Sequence, residues 1–102
     1  MDAEHKIYGY ARVSAKDQNL DRQLDALLEY GVDAKSIYKD KASGKDFNRP
    51  AYKRLVKQLK PNDVLVIKSI DRLGRNYNEI LEEWRCITKE KQVAVVVLDM
   101  PL

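Results

Sequence analysis

Apolar positions along this chain come in two alternating rhythms. Residues 6–13 carry Ile7, Tyr8, Tyr10 and Val13, good strand formers, and predict a first strand. Residues 19–30 set Leu20, Leu24, Leu27 and Leu28 on one face of a helix. Asp17 or Asn19 is placed to cap that helix, and Gly31 to end it. Residues 36–39 predict a short second strand. Residues 40–48 are polar, contain Gly44 and predict an exposed loop with few apolar anchors, mobile in the absence of partners. Pro50 suits the first turn of a helix that buries Tyr52, Leu55, Val56 and Leu59, and Pro61-Asn62-Asp63 stops it. Val64-Leu65-Val66-Ile67 is an unbroken apolar run, as in a strand covered on both faces. A last helix is predicted over 76–90, with Asn76 and Glu79 at capping-box spacing, and a second fully buried strand over 93–98.

The order βαβαβαβ predicts an α/β domain, a mainly parallel four-stranded sheet with helices on both faces. In such folds functional groups collect beyond the carboxyl ends of the strands. Ser14, Asp40 and the segment Asp71-Arg72-Leu73-Gly74-Arg75 each follow a predicted strand directly. Three polar segments distant in sequence are thus expected at one edge of the sheet.

With 102 residues the chain makes one small domain with a single core. The net charge of +3 permits a polyanionic partner without demanding one. Its one cysteine, Cys86, excludes an internal disulfide framework, favours an intracellular setting and reads as a small packing residue. His5, the only histidine, sits near the N-terminus and reads as incidental. The N-terminus lacks the apolar stretch of a signal peptide, and no run approaches the ~20 apolar residues of a membrane helix.

The chemistry lies in how arginines are arranged around a serine. Strand alternation points Tyr10, Arg12 and Ser14 the same way. An arginine inside an apolar strand needs a partner: a carboxylate such as Asp40 or Asp71, or an anion that the site is built to receive. If a helical turn begins at Asp71, Arg72 and Arg75 share a face at i, i+3. Arg12, Arg49, Arg72 and Arg75 could then converge, and guanidinium forks match phosphate oxygens. Preorganised cations that meet charge as it develops typically do more for phosphoryl transfer than any other catalytic device. Ser14 still needs activation. Asp71, Asp63 or an arginine acting through its charge are the candidates, and the residues do not choose among them. Gln18 and Gln23 read either as groups that orient a phosphate or side chain, or as polar positions on a helix surface.

Taken together, Tyr10-Ala11-Arg12-Val13-Ser14, Gln18, Gln23, Asp40-Lys41-Ala42-Ser43-Gly44, Arg49, Asp63 and Asp71-Arg72-Leu73-Gly74-Arg75 resemble the catalytic domain of the serine recombinases, the resolvase/invertase family. The resemblance covers essentially the whole chain and implies a resolvase-like, Rossmann- or flavodoxin-like fold. It implies that Ser14 attacks a DNA phosphodiester to give a 5′-phosphoserine link and a free 3′-hydroxyl. Four subunits would cut four strands with a two-base stagger, and rotation and reversal would rejoin them. No metal ion or cofactor is implied, because the covalent link conserves the bond energy. Arg12, Arg49, Arg72 and Arg75 match the phosphate-binding and transition-state arginines, and Asp71 an active-site carboxylate. Tyr10, Gln18, Gln23, Asp40, Ser43 and Asp63 match supporting positions.

The implied partners are double-stranded DNA at a recombination crossover site and further subunits, a homodimer and then a synaptic tetramer, in the full-length protein. No membrane is involved, and the implied setting is the cytoplasm, on nucleoid DNA. Family members continue into a long dimerisation helix and a DNA-binding domain. Residues 1–102 stop short of both, so the chain is expected to be a catalytic-domain fragment that is largely inactive alone. The alternative is an α/β module without chemistry. A receiver-like regulator calls for an acidic cluster after the early strands and a late lysine, whereas the first strand here leads into Arg12 and Ser14. An interaction domain that keeps the fold but not the reaction is the remaining alternative.

Overall fold

The computed structural model describes residues 6–13, 20–41, 49–74 and 76–99. Four strands, β1 (Ile7–Val13), β2 (Ile37–Lys41), β3 (Val64–Ile67) and β4 (Ala94–Val97), form one all-parallel sheet in the order β2-β1-β3-β4. Helices α1 (Leu20–Tyr30), α2 (Pro50–Gln58) and α3 (Tyr77–Arg85) fill the crossovers. The chain steps one way from β1 to β2 and the opposite way from β2 to β3 and β3 to β4. Right-handed crossovers then require α1 on one face and α2 with α3 on the other.

The core divides accordingly. Tyr8, Tyr10, Leu65 and Ile67 meet Tyr52 and Leu55 from α2, Leu59 just after it and Ile87 from beyond α3. Ala11 and Val66 meet Leu27 of α1 and Val32 on the opposite face. Gly9 lies beneath α1: a Cβ there would come within 3.2 Å of both Leu27 and Val32, so the bare backbone lets the helix approach. Gly31 closes α1 at φ +119°, where its N–H bonds the Leu28 carbonyl and Val32 N–H bonds that of Leu27. That pair of bonds is the left-handed helix ending glycine favours.

Several expectations change. Leu28, assigned to the buried face of α1, is 47% exposed, while Leu24 and Leu27 pack against the sheet. β2 runs to Lys41 rather than ending at residue 39, so Asp40 belongs to a strand and is buried instead of opening an exposed loop. Residues 42–48 of that loop lie outside the described part, as do His5, Asp17 and Asn19. The last helix divides: α3 runs to Arg85, and Cys86–Glu90 forms a wider π turn closed by Lys91 N–H on the Cys86 carbonyl. β4 is only half-buried, since it forms the outer edge of the sheet and has a neighbour on one side only.

Candidate functional site

Asp40 organises the carboxyl edge of the sheet on the α2/α3 face. It stands opposite Arg12 in the β1–β2 register and is 7% exposed. Its carboxylate accepts from the Tyr10 hydroxyl at 2.9 Å and from the backbone N–H groups of Ala51 at 3.0 Å and Tyr52 at 2.9 Å. Pro50 has no N–H, and the N-cap residue Arg49 supplies no capping side chain. A carboxylate from the neighbouring strand therefore caps α2 and meets the positive end of its dipole.

This cap fixes Arg49, which begins α2 and is 7% exposed. Its guanidinium lies 4.0 Å from the centre of the Tyr52 ring, and its Nη1 donates to the Arg72 carbonyl at 3.0 Å. Arg72 lies in the short 3₁₀ turn Ile70–Leu73 that follows β3 and packs against β1. Arg12 sits one strand step beyond Tyr10, which alternation places on the same face of β1. Arg49 is thus tied to the turn that carries Arg72, and Arg12 stands at the same carboxyl edge, near the end of β1. The Nε atoms of Arg12 and Arg72 are buried without a hydrogen-bond acceptor among the described residues, although both residues have other interactions.

Gln23 does not lie on a helix surface. It is 2% exposed, and its carboxamide bonds both the N–H and the carbonyl of Arg12, at 3.2 and 3.1 Å. The register of β3 with β1 ends at Tyr10 and Ile67, and the Gln23 side chain extends the ladder two residues further on.

Asp63 is removed from the candidates for activating Ser14. It precedes β3, and its carboxylate binds the N–H groups of Lys6 and Lys60 at the opposite, amino edge of the sheet. The helical turn that carries Arg72 ends at Leu73, with Gly74 extended at φ −162°. Ser14, Gln18, Ser43 and Arg75 lie outside the described residues, and of Asp71 only the backbone, within the 3₁₀ turn, is described.

Gly74 is required by space. A Cβ there would lie 2.7 Å from Glu79 Cβ and 2.9 Å from the Ile80 nitrogen, in the first turn of α3. Asn76 caps that turn by accepting from Glu79 N–H at 3.0 Å. Gly74→Ala is expected to displace the turn and cost about 1–3 kcal/mol. At ~4–8 °C per kcal/mol in a domain of this size, calorimetry should show the lower Tm. An unchanged Tm would mean that the approach is not tight.

Two buried tyrosines flank the arginines, with ring centres 5.0 Å apart. Burial, then the hydrogen bond to Asp40, pushes the Tyr10 hydroxyl well above its ordinary pKa, with Arg49 opposing. Burial, then the hydrogen bond to Glu83, does the same for Tyr52. A raised folded pKa favours the neutral phenol, so this stability is fully present below the unfolded value of ~10 and is lost as pH rises above it. Each such tyrosine should contribute a fall of about 1.4 kcal/mol per pH unit there. Urea titrations at alkaline pH should find this slope, reduced by one tyrosine's share in Tyr52→Phe.

Burial also raises the Cys86 thiol, with Glu90 and Glu83 adding to the effect, which argues against a reactive thiolate and fits a packing role. Among the described residues no cluster of His, Cys, Asp or Glu is arranged to hold a metal ion, and no helix is long and apolar enough to cross a membrane.

A parallel α/β domain with a buried guanidinium fixed at its carboxyl edge is the class that fold and site define. The chain belongs to the resolvase N-terminal domain family, whose model matches residues 7–101. It is similar to a resolvase of Clostridium perfringens, 39% identical over 75 residues that make up 74% of this chain and 40% of the relative. It is also similar to the transposon Tn3 resolvase of Escherichia coli, 42% identical over 77 residues, covering 76% of this chain and 42% of the relative. The crystal structure of the N-terminal catalytic domain of TP901-1 integrase superposes with a TM-score of 0.75 at 28% identity, over 92% of this chain and 77% of that one. The fold is resolvase-like, and the chain spans about two-fifths of the length of these curated relatives.

Proposed function

We propose that this domain is the catalytic module of a site-specific DNA recombinase that works through a 5′-phosphoserine intermediate. The observation that carries the reading is the bond from the buried Arg49 guanidinium to the Arg72 carbonyl, across 23 residues of sequence, at the sheet edge where β1 delivers Arg12. Ser14 follows the last residue of β1 directly. Its Oγ forms a bond to the DNA phosphorus as the bond from phosphorus to the 3′ oxygen breaks. The serine proton leaves, and the departing 3′ oxygen takes up a proton. One phosphodiester is exchanged for another, so the same step in reverse rejoins the strand without an external energy source.

Charge that develops on the phosphate is met by Arg12, Arg49, Arg72 and Arg75, and in this reading no metal ion is needed. With Asp63 at the amino edge, this reading assigns assistance in proton transfer to Asp71, whose backbone lies in the turn beside Arg72. Double-stranded DNA is the substrate. Dimer and tetramer assembly belong to the whole protein, because strand exchange requires four cut strands.

The test is to trap the intermediate. The whole protein is incubated, with chelator present, with duplexes nicked near the crossover so that cut ends diffuse away. A denaturing gel and mass spectrometry then locate the adduct. The expected result is DNA attached to Ser14. Attachment elsewhere, or only when metal is supplied, would contradict this chemistry, and DNA binding without any adduct would make the domain an interaction module.

A further inference from the structure

We propose that Tyr52, held by Glu83 of α3, is the positioning residue for Arg49. This assignment rests on the recombinase reading for its consequence, but its geometry stands by itself. A buried arginine on a flexible stem has many rotamers, and catalysis requires one of them. Here the Tyr52 ring lies beneath the guanidinium at 4.0 Å, while the Arg72 carbonyl fixes Nη1 at 3.0 Å.

The ring is itself held at three points. The residue's backbone N–H binds Asp40 at 2.9 Å, the ring packs on Tyr10 at a 59° tilt, and the hydroxyl donates to Glu83 Oε1 at 2.5 Å. That last bond crosses from α2 to α3 at the wall of an open groove of about 610 Å³ lined by both helices. α3 begins just after residues 71–75, so one helix follows the arginine segment in the chain and, through Glu83 and Tyr52, holds the arginine of another segment. A leucine in place of Tyr52 would fill much of the same core without presenting a π face to the cation.

The test uses the whole protein and the nicked duplex. Tyr52→Leu is expected to slow Ser14 adduct formation at saturating DNA about 10- to 100-fold, as misplacement of a catalytic group does. The DNA concentration for half-maximal rate should change much less than the rate. Tyr52→Phe, which keeps the ring but loses the bond to Glu83, should be slowed only severalfold, as Glu83→Leu is. The Arg49→Ala, Tyr52→Leu double variant should be no slower than Arg49→Ala alone, because the ring acts only through the arginine. A wild-type rate in Tyr52→Leu, or losses that multiply in the double variant, would overturn the assignment.

Should Tyr52→Leu fail to fold, Glu83→Leu carries the test. It should slow the reaction severalfold, and Glu83→Gln, which still accepts from the hydroxyl, should restore it; equal rates in the two would overturn the role of Glu83. If wild-type protein forms no adduct, the recombinase reading fails, and the geometry is judged separately from the Arg49 Nε proton resonance. A ring-current displacement present in wild type and Tyr52→Phe but lost in Tyr52→Leu supports the positioning. The same resonance in all three refutes it.

Discussion

Ser14→Ala should abolish the covalent DNA adduct, a loss of ~10⁴-fold or more, as when a nucleophile is deleted from a catalytic unit. The substitution removes one oxygen and no charge. Arg12, Arg49, Arg72 and Arg75 remain, so noncovalent DNA binding should persist with its ordinary dependence on salt. An arginine variant behaves differently. Arg49→Ala removes a preorganised cation and should slow the reaction by roughly 10²–10³ while leaving some adduct at Ser14. The contrast separates the bond-forming group from the groups that stabilise charge. It also separates catalysis from the interaction-module alternative, in which neither wild type nor variant forms an adduct. An adduct that survives in Ser14→Ala would place the nucleophile elsewhere and undo the reading of residues 10–14.

Much of this architecture is legible because a parallel sheet repeats a simple pattern. Four apolar runs separated by helical periodicity predict four strands, and polar residues just after a strand in such a sheet belong at its carboxyl edge. The turn that carries Arg72 follows β3 and lies at that edge for this reason, within reach of Arg49. The misplacement of Asp63 follows from the same rule, since it precedes β3 and so belongs at the amino edge. Hydrophobicity also reports burial without reporting neighbours. The valines of β4 resemble those of β3, yet β4 ends the sheet and is only half-covered. The opposite error concerns Asp40, which reads as loop because aspartate between two lysines is polar. Only the inward side of the β2 pleat, facing bare N–H groups at the start of α2, makes a buried carboxylate favourable there. Tyr52 fits the apolar face of α2 and reads as core. Its three-residue spacing from Arg49, at a helix start marked by proline, is the available sign of a contact between them.

Asp40→Ala should be the most destabilising single change in the described site. It would leave the Tyr10 hydroxyl and the N–H groups of Ala51 and Tyr52 without their acceptor, all at a buried position. Losing the cap of a helix costs about 1 kcal/mol, and each buried donor left unsatisfied adds about 1–3 kcal/mol. Part of that sum is recovered as water enters or α2 shifts, so a net loss of about 3–4 kcal/mol is expected. In a domain of this size that lowers Tm by roughly 12–30 °C. Asp40→Asn keeps the shape and one acceptor oxygen but turns an NH₂ group toward donors, so it should recover only part of the loss. Activity should fall further than stability explains. Arg49 begins the helix that Asp40 caps, and an uncapped first turn would no longer hold the guanidinium against Tyr52 and Arg72. Adduct formation by Asp40→Asn, measured well below its own Tm, should therefore remain at least ~10-fold below wild type. An Asp40→Asn protein that melts with wild type and reacts at its rate would show that the carboxylate neither anchors α2 nor places Arg49.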